Sequence, residues 1–214
     1  MATDPEVSVV IGLRSVPSSA ATAIDSVLTQ EGVALEVILV DDGSIDATPA
    51  LLADYVAKDA RVRVLTQPAL GLTRALVAGC AAARGTFIAR QDAGPRTRWL
   101  PGRLARTVEV LRTRLDVVLV ACGARLLSPR GEFVAEHCPS EAGARAGLAA
   151  LDIAEFAGPT HSAVTFRRKA YEAVGGYREV FRLAQDADLW LRLLETGAFG
   201  MVEEVLVERG LSPD

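Results

Sequence analysis

The chain has 214 residues, half of them apolar and 23% charged, with a net charge of −4. That length fits one domain around a single core, and the composition excludes disordered, fibrous and membrane-embedded classes. The mild acidity gives no electrostatic case for nucleic acid, which calls for a basic face.

The three cysteines, Cys80, Cys122 and Cys138, are scattered and form no CxxC pair. Reduced thiols, rather than a disulfide framework or a zinc site, are therefore expected. The opening Met1-Ala-Thr-Asp-Pro-Glu6 lacks the basic start and apolar run of a signal peptide. No apolar stretch approaches the ~18 residues that span a bilayer. A cytoplasmic protein is expected, and any work at a membrane would be by peripheral contact at its inner face.

In chain order, Val7–Ile11 is a β-branched run suited to a strand buried on both faces. Ala20–Leu28 has apolar residues at helical spacing, and Glu36–Val40 is a second buried-type strand running into Asp41-Asp42-Gly43-Ser44. Asp46 can cap a helix from Ala47 to Lys58, with Pro49 tolerated in the first turn. The alternation continues with a strand at Arg61–Leu65, a helix at Leu72–Ala83, a strand at Thr86–Asp92 and a helix at Trp99–Arg114. A strand at Asp116–Leu126 precedes a turn at Ser128–Gly131. Beyond it the pattern predicts a weak helix at Ser140–Ala150, a strand at His161–Arg167 and a short helix at Lys169–Val174. A turn at Gly175-Gly176, an amphipathic helix at Asp186–Thr196 and a strand at Met201–Val207 complete the chain. Strands alternating with helices predict an α/β domain with a mainly parallel sheet covered on both faces. No repeat or linker divides it, so residues 1–214 read as a single domain.

In open α/β sheets, ligands bind outside the carboxyl ends of the strands. Asp41 and Asp42 follow the second strand and Asp92 the fourth. Acids there can accept hydrogen bonds from a base or ribose, or hold a cation against phosphates. They can equally be turn formers, which Asp often is.

The order of motifs then resembles a known family. Val7–Ile11, Ile24–Gln30 and Glu36-Val-Ile-Leu-Val-Asp-Asp-Gly-Ser-Ile-Asp-Ala-Thr48 look like the opening of glycosyltransferase family 2. Gly71–Leu76 and Gly85–Asp92 are similar to its middle. His161–Arg168, Gly175-Gly-Tyr177 and Ala184–Trp190 are similar to its C-terminal part. The resemblance spans about residues 7–207. It implies a GT-A-like domain, with a nucleotide-binding half at about 7–125 and an acceptor-side half at about 126–207. It also implies transfer of a sugar from a nucleotide diphosphate, a UDP-sugar being favoured, with inversion. The acceptor expected is a glycan or lipid-linked glycan of bacterial surface polysaccharide.

Residue by residue, the resemblance places the nucleoside on Asp41 and Asp42 and the general base on Asp186. The metal and diphosphate motif falls on Asp92-Ala-Gly94. Gly12 in the turn after the first strand and Arg74 after Gly71 are further donor-side candidates, and His161 and Asp188 are acceptor-side candidates. An inverting transfer needs a base on the acceptor hydroxyl and positive charge on the departing diphosphate. Asp186 can also be a mere helix cap, Asp188 a helix-face acid, His161 a satisfied buried histidine and Arg74 an exposed cation.

Several positions depart from the family pattern. Gly94 and Pro95 stand where acids are usual, Gln185 replaces the acid before the base, and Gly12-Leu-Arg-Ser15 replaces the usual first turn. Asp92 alone would hold Mg²⁺ or Mn²⁺ weakly. Alternatively, no metal is used and Arg90, Arg96 and Arg98 neutralise the diphosphate, although three arginines of an Arg-rich chain can equally be a solvated surface. A degenerate, non-catalytic nucleotide-binding or partner module of the same fold is the competing function. A nucleotidyltransferase would need a glycine-rich phosphate loop, which Gly12–Ser15 does not supply.

Overall fold

The computed structural model describes residues 4–149 and 158–211. Its elements, in order, are β1 (Val7–Leu13), α1 (Pro17–Leu28), β2 (Leu35–Asp42), α2 (Thr48–Lys58), β3 (Val62–Gln67), α3 (Leu72–Ala81) and β4 (Phe87–Arg90). There follow β5 (Arg98–Trp99), α4 (Arg103–Thr113), β6 (Val117–Leu127), β7 (Phe133–His137) and α5 (Glu141–Ala149). A one-turn 3-10 helix at His161–Ala163 then leads into β8 (Val164–Arg167), α6 (Arg168–Ala173), α7 (Gln185–Leu194) and β9 (Ala198–Gly210). The predicted helix end at Ala150, and Met1–Thr3 of the opening segment, lie outside the described residues.

One sheet carries every strand, in the order β3-β2-β1-β4-β8-β6-β9-β5, with β7 on β6. The first four strands are parallel, as expected. The remainder is mixed: β8 runs antiparallel between β4 and β6, while β9 is parallel to β6. The expectation of a mainly parallel sheet therefore holds only for the first half. Periodicity reports which face a side chain takes but not the direction of its neighbour, so it could not tell the two halves apart.

Alternation along the strands builds two cores. Val9 and Ile11 of β1 face α1, α2 and α4 through Ile24, Leu52 and Val108. Val10 faces the other way, toward α3, α5, α6 and α7 through Leu76, Leu148, Tyr171 and Trp190. On α7, Leu189, Trp190 and Leu193 are fully buried, as the helical spacing predicts. Each such side chain contributes about 1.5–3 kcal/mol, enough to fix the acids on the first turn of α7 in place.

Two boundaries moved for identifiable reasons. The helix predicted from Trp99 begins at Arg103, because Pro101 cannot donate an N–H and Gly102 takes a left-handed φ of 80°. Trp99 pairs instead with Val207 in the edge strand β5. The predicted strand at His161 opens as the 3-10 turn, and His137, which the sequence places in a loop, ends β7.

Candidate active site

The chain reverses direction across the sheet between β1 and β4, and the cleft opens at their carboxyl ends. Gly12, Arg14, Asp92, Gly94 and Arg209 line a hollow of about 300 Å³. A second hollow of about 480 Å³ shares Arg14 and Leu72 with it and is lined by Gly71, Arg74, Glu179 and Arg182. A larger one, about 1040 Å³, shares Val16 and Pro95 with the first and lies beside β7. Of its charges, Arg98 pairs with Glu208 and Arg125 with Glu136, while Arg96 donates to the Pro129 carbonyl.

Asp42 ends β2 and is buried. Its Oδ1 accepts from the Gln67 amide at 2.7 Å and the Leu70 N–H at 2.8 Å, and its Oδ2 from the Gly71 N–H at 2.9 Å. This carboxylate shapes the β3–α3 loop that walls the second hollow. Asp41 Oδ1 accepts the Ser44 N–H at 2.9 Å. The turn between them depends on Gly43, whose φ is +72°; a Cβ there would meet the Ala69 nitrogen at 2.8 Å. Gly12 is held less strictly, because a Cβ there would meet the movable end of the Leu72 side chain at 2.9 Å. Arg74 pairs with Glu179 at 2.9 Å, and Thr73 Oγ1 donates to the Phe181 carbonyl at 2.7 Å. Those two contacts hold the segment before α7 against the start of α3.

Asp92 accepts from Arg90 Nη2 at 2.8 Å, and Arg90 is itself 2% exposed. Burial pushes the Asp92 carboxyl up, but Arg90, His161 and Arg209 outweigh it and hold the group below its ordinary value. His161 shares a hydrogen bond of 2.8 Å with Tyr177 Oη and lies edge-on to Trp190, 5.6 Å between centroids. Burial, helped by Arg90, drives its pKa to about 4 against the opposing pull of Asp92 and Asp186. His161 is therefore neutral at neutral pH, although Asp92 and Asp186 both favour its charged form.

Asp186 is the second residue of α7, not its cap; Ala184 occupies the cap position with a left-handed φ of 56°. The Asp186 carboxylate accepts the Ala187 N–H at 3.0 Å. Asp188 is committed to Arg192 at 2.6 Å and Arg178 at 3.3 Å. Arg192 also donates to the carbonyls of Val174 and Gly176, pinning the Gly175-Gly176 turn to α7. The helix-face reading of Asp188 thus has a structural basis that the acceptor reading lacks.

The arginines expected to meet a diphosphate are occupied. Arg90 is buried on Asp92, Arg98 pairs with Glu208 at 2.7 Å, and Arg96 donates to the Pro129 carbonyl at 3.2 Å. Nor does the donor set fit a metal. Asp92 already gives an oxygen to Arg90, Gly94 has no donor side chain, and no group of three His, Cys, Asp or Glu among the described residues is placed to hold a cation.

Three residues escaped sequence reasoning. Arg209, at the end of β9, lines the cleft beside Asp92; the rule that ligands gather at strand carboxyl ends would have found it had the strand been carried past Val207. Arg14 lies in the altered first turn. Arg103 is fully buried, donates to Thr165 Oγ1 at 2.9 Å and the Val164 carbonyl at 2.6 Å, and lies 4.0 Å over the Trp99 ring. It fixes the strand entered from His161, and nothing in the pattern announces it.

Comparison with known proteins agrees with this architecture. Residues 8–175 match the family model described as glycosyl transferase family 2. EpsE of Bacillus subtilis, provisionally described as a glycosyltransferase, is 31% identical over 94% of this chain and 70% of its own length. The succinoglycan biosynthesis protein ExoO of Rhizobium meliloti is 43% identical over 49% of this chain, but only 29% of ExoO is covered. Among solved structures, S. aureus TarS 1–349 superposes with a TM-score of 0.76 at 13% identity, over 96% of this chain and 60% of that one. The mannosyltransferase PcManGT of Pyrobaculum calidifontis, solved with GDP-Man and Mn²⁺, gives 0.74 at 17% identity over 97% and 57%. No helix among the described residues is long and apolar enough to cross a membrane. The chain belongs to glycosyltransferase family 2 and has the GT-A fold.

Proposed function

We propose that this transferase moves a sugar from a nucleotide-diphosphate donor, a UDP-sugar first among them, to a glycan or lipid-linked acceptor of a bacterial surface polysaccharide, with inversion. The observation that supports it best is the hollow at the carboxyl end of β4 that Asp92 lines, with Asp186 one turn before the Trp190 that packs edge-on against His161. In this reading the nucleoside lies toward the second hollow, where Asp42 builds the wall and Asp41, with fewer bonds, faces the base or ribose. Asp186 takes the proton of the acceptor hydroxyl. That oxygen attacks the anomeric carbon from the side opposite the diphosphate, whose bond to the sugar breaks as the nucleoside diphosphate departs. Neutral His161 orients the acceptor side through its own hydrogen bonds. A lipid-linked acceptor would place the protein in peripheral contact with the inner membrane face.

TarS has been solved with UDP-GlcNAc and PcManGT with GDP-Man; these ligands set the panel for a test. Thermal shifts with UDP-, GDP- and TDP-sugars, followed by donor hydrolysis or transfer, should show stabilisation and turnover. The competing reading, a non-catalytic module of the same fold, draws on Gly94 in place of an acid and on the altered first turn at Gly12–Ser15. Stabilisation by a nucleotide sugar with no hydrolysis or transfer of any donor would favour it.

A further inference from the structure

Building on the donor-binding reading above, we infer that Arg14 and Arg209, not a divalent cation, neutralise the leaving diphosphate in this chain. The loop that would carry the second metal acid is diverted to another purpose. The Pro95 carbonyl accepts the Gly210 N–H at 2.9 Å, which staples the loop to the end of β9. A Cβ on Gly210 would clash with that carbonyl oxygen, which is backbone and cannot swing away, so the close approach requires glycine. The staple brings Arg209 into the lining of the hollow together with Asp92 and Gly94. Arg14 enters the same hollow from the turn after β1, where Ser15 takes a left-handed φ of 51°.

Both side chains are exposed, and neither is in an ion pair among the described residues. Their neighbours are engaged: Arg74 with Glu179, Arg90 with Asp92 and Arg98 with Glu208. Among the residues lining this hollow, Arg14, Arg90 and Arg209 face a single carboxylate, Asp92. The hollow therefore carries a net excess of positive charge. Such a site repels a divalent cation and attracts a diphosphate, whose oxygens guanidinium forks can hold in pairs. The charge that a metal would supply to the departing group is already built into the chain.

Calorimetric titration of UDP and UMP into the full chain, in EDTA or in Mn²⁺, tests this. UDP should bind in EDTA with an affinity that Mn²⁺ changes by less than about threefold, and more tightly than UMP. Arg209→Ala and Arg14→Ala should each weaken UDP by about tenfold or more, leave UMP binding unchanged and leave the unfolding temperature unchanged. Gly94→Asp should make UDP binding respond to Mn²⁺. Space permits that change, since a Cβ at Gly94 would meet only the rotatable Thr97 hydroxyl at 3.3 Å. UDP binding by the wild-type chain that requires Mn²⁺, or arginine variants that bind UDP as the wild type does, would overturn the arginine assignment while leaving donor binding intact. Failure of UDP, GDP and TDP to bind under either condition would overturn the donor reading, and the arginine assignment with it.

Discussion

The amino and carboxyl ends of the parallel strands stand in surroundings built to different standards. At the amino end, the Glu36 carboxylate accepts from Ser8 Oγ at 2.7 Å, the Arg84 N–H at 2.8 Å, Arg84 Nε at 2.9 Å and Arg63 Nη1 at 3.1 Å. Burial pushes its pKa up, but those bonds outweigh burial and hold it below the ordinary value. At the carboxyl ends Asp42 is well bonded, but around the end of β4 the bonding is incomplete. Among the described residues, the buried side-chain polar atoms without a partner belong to Arg90, Gln91, Arg103, Ser162 and Trp190. These residues gather around Asp92 and His161. Among the described residues, the non-glycine ones with left-handed φ, Ser15, Arg96 and Ala184, also sit in loops at this end. One end of the sheet is finished for stability; the other retains strain and unmet hydrogen-bonding capacity, as sites that await a ligand do.

That contrast can be broken by experiment. The largest effect expected is on turnover: Asp186→Asn should lower the transfer rate by about 10²–10⁴-fold with UDP affinity unchanged. An undiminished rate would remove Asp186 from the chemistry. Next, Glu36→Ala should lower the free energy of urea unfolding by about 2–4 kcal/mol. The loss stays below that of a fully enclosed pair, because Arg63 and Arg84 reach solvent and can be rehydrated. UDP affinity of the folded protein should not change, since the network lies at the far end of the sheet.

The third expectation concerns pH. His161 titrates near 4 when folded, against about 6.5 in an unfolded chain, so the unfolded state binds more protons between those values. Its contribution is fully present above pH about 6.5 and is lost as pH falls toward 4, up to about 3 kcal/mol in all. Urea unfolding at stepped pH should show a steeper decline over this window for the wild type than for His161→Gln; parallel profiles would mean that His161 is not buried in its neutral form. The smallest effect is a gain. Gln91 is fully buried with its amide unpaired, so Gln91→Met should raise stability by about 1 kcal/mol. A loss instead would mean that the amide is satisfied and that the contrast between the two ends is weaker than drawn.

Much of this was written in local pattern. The buried strands Val7–Leu13 and Leu35–Asp42 and the amphipathic α7 follow from apolar spacing, which acts over a few residues. The positions of Asp41, Asp42, Asp92 and Asp186 at strand and helix ends follow from the same spacing. The strands of the second half did not reveal their direction, since β8 reads identically whether parallel or antiparallel to β4. Nor did the partners of individual charges show. Arg98 and Arg209 look equivalent in sequence, yet one is bound to Glu208, 110 residues away, and the other lies beside Asp92 with no ion-pair partner among the described residues.

By itself the sequence determined the alternation of strands and helices, the two-faced core and the candidate acids at the strand tips, because burial periodicity is a local property of the chain. Only the tertiary structure decided that Asp92 lines the hollow while Asp42 is bonded into a loop beside it, which arginines are already paired, and that the end of β9 brings Arg209 against the altered Gly94-Pro95 loop. Those outcomes depend on the folded path of distant segments, and electrostatic attraction takes whichever partner that path brings within reach.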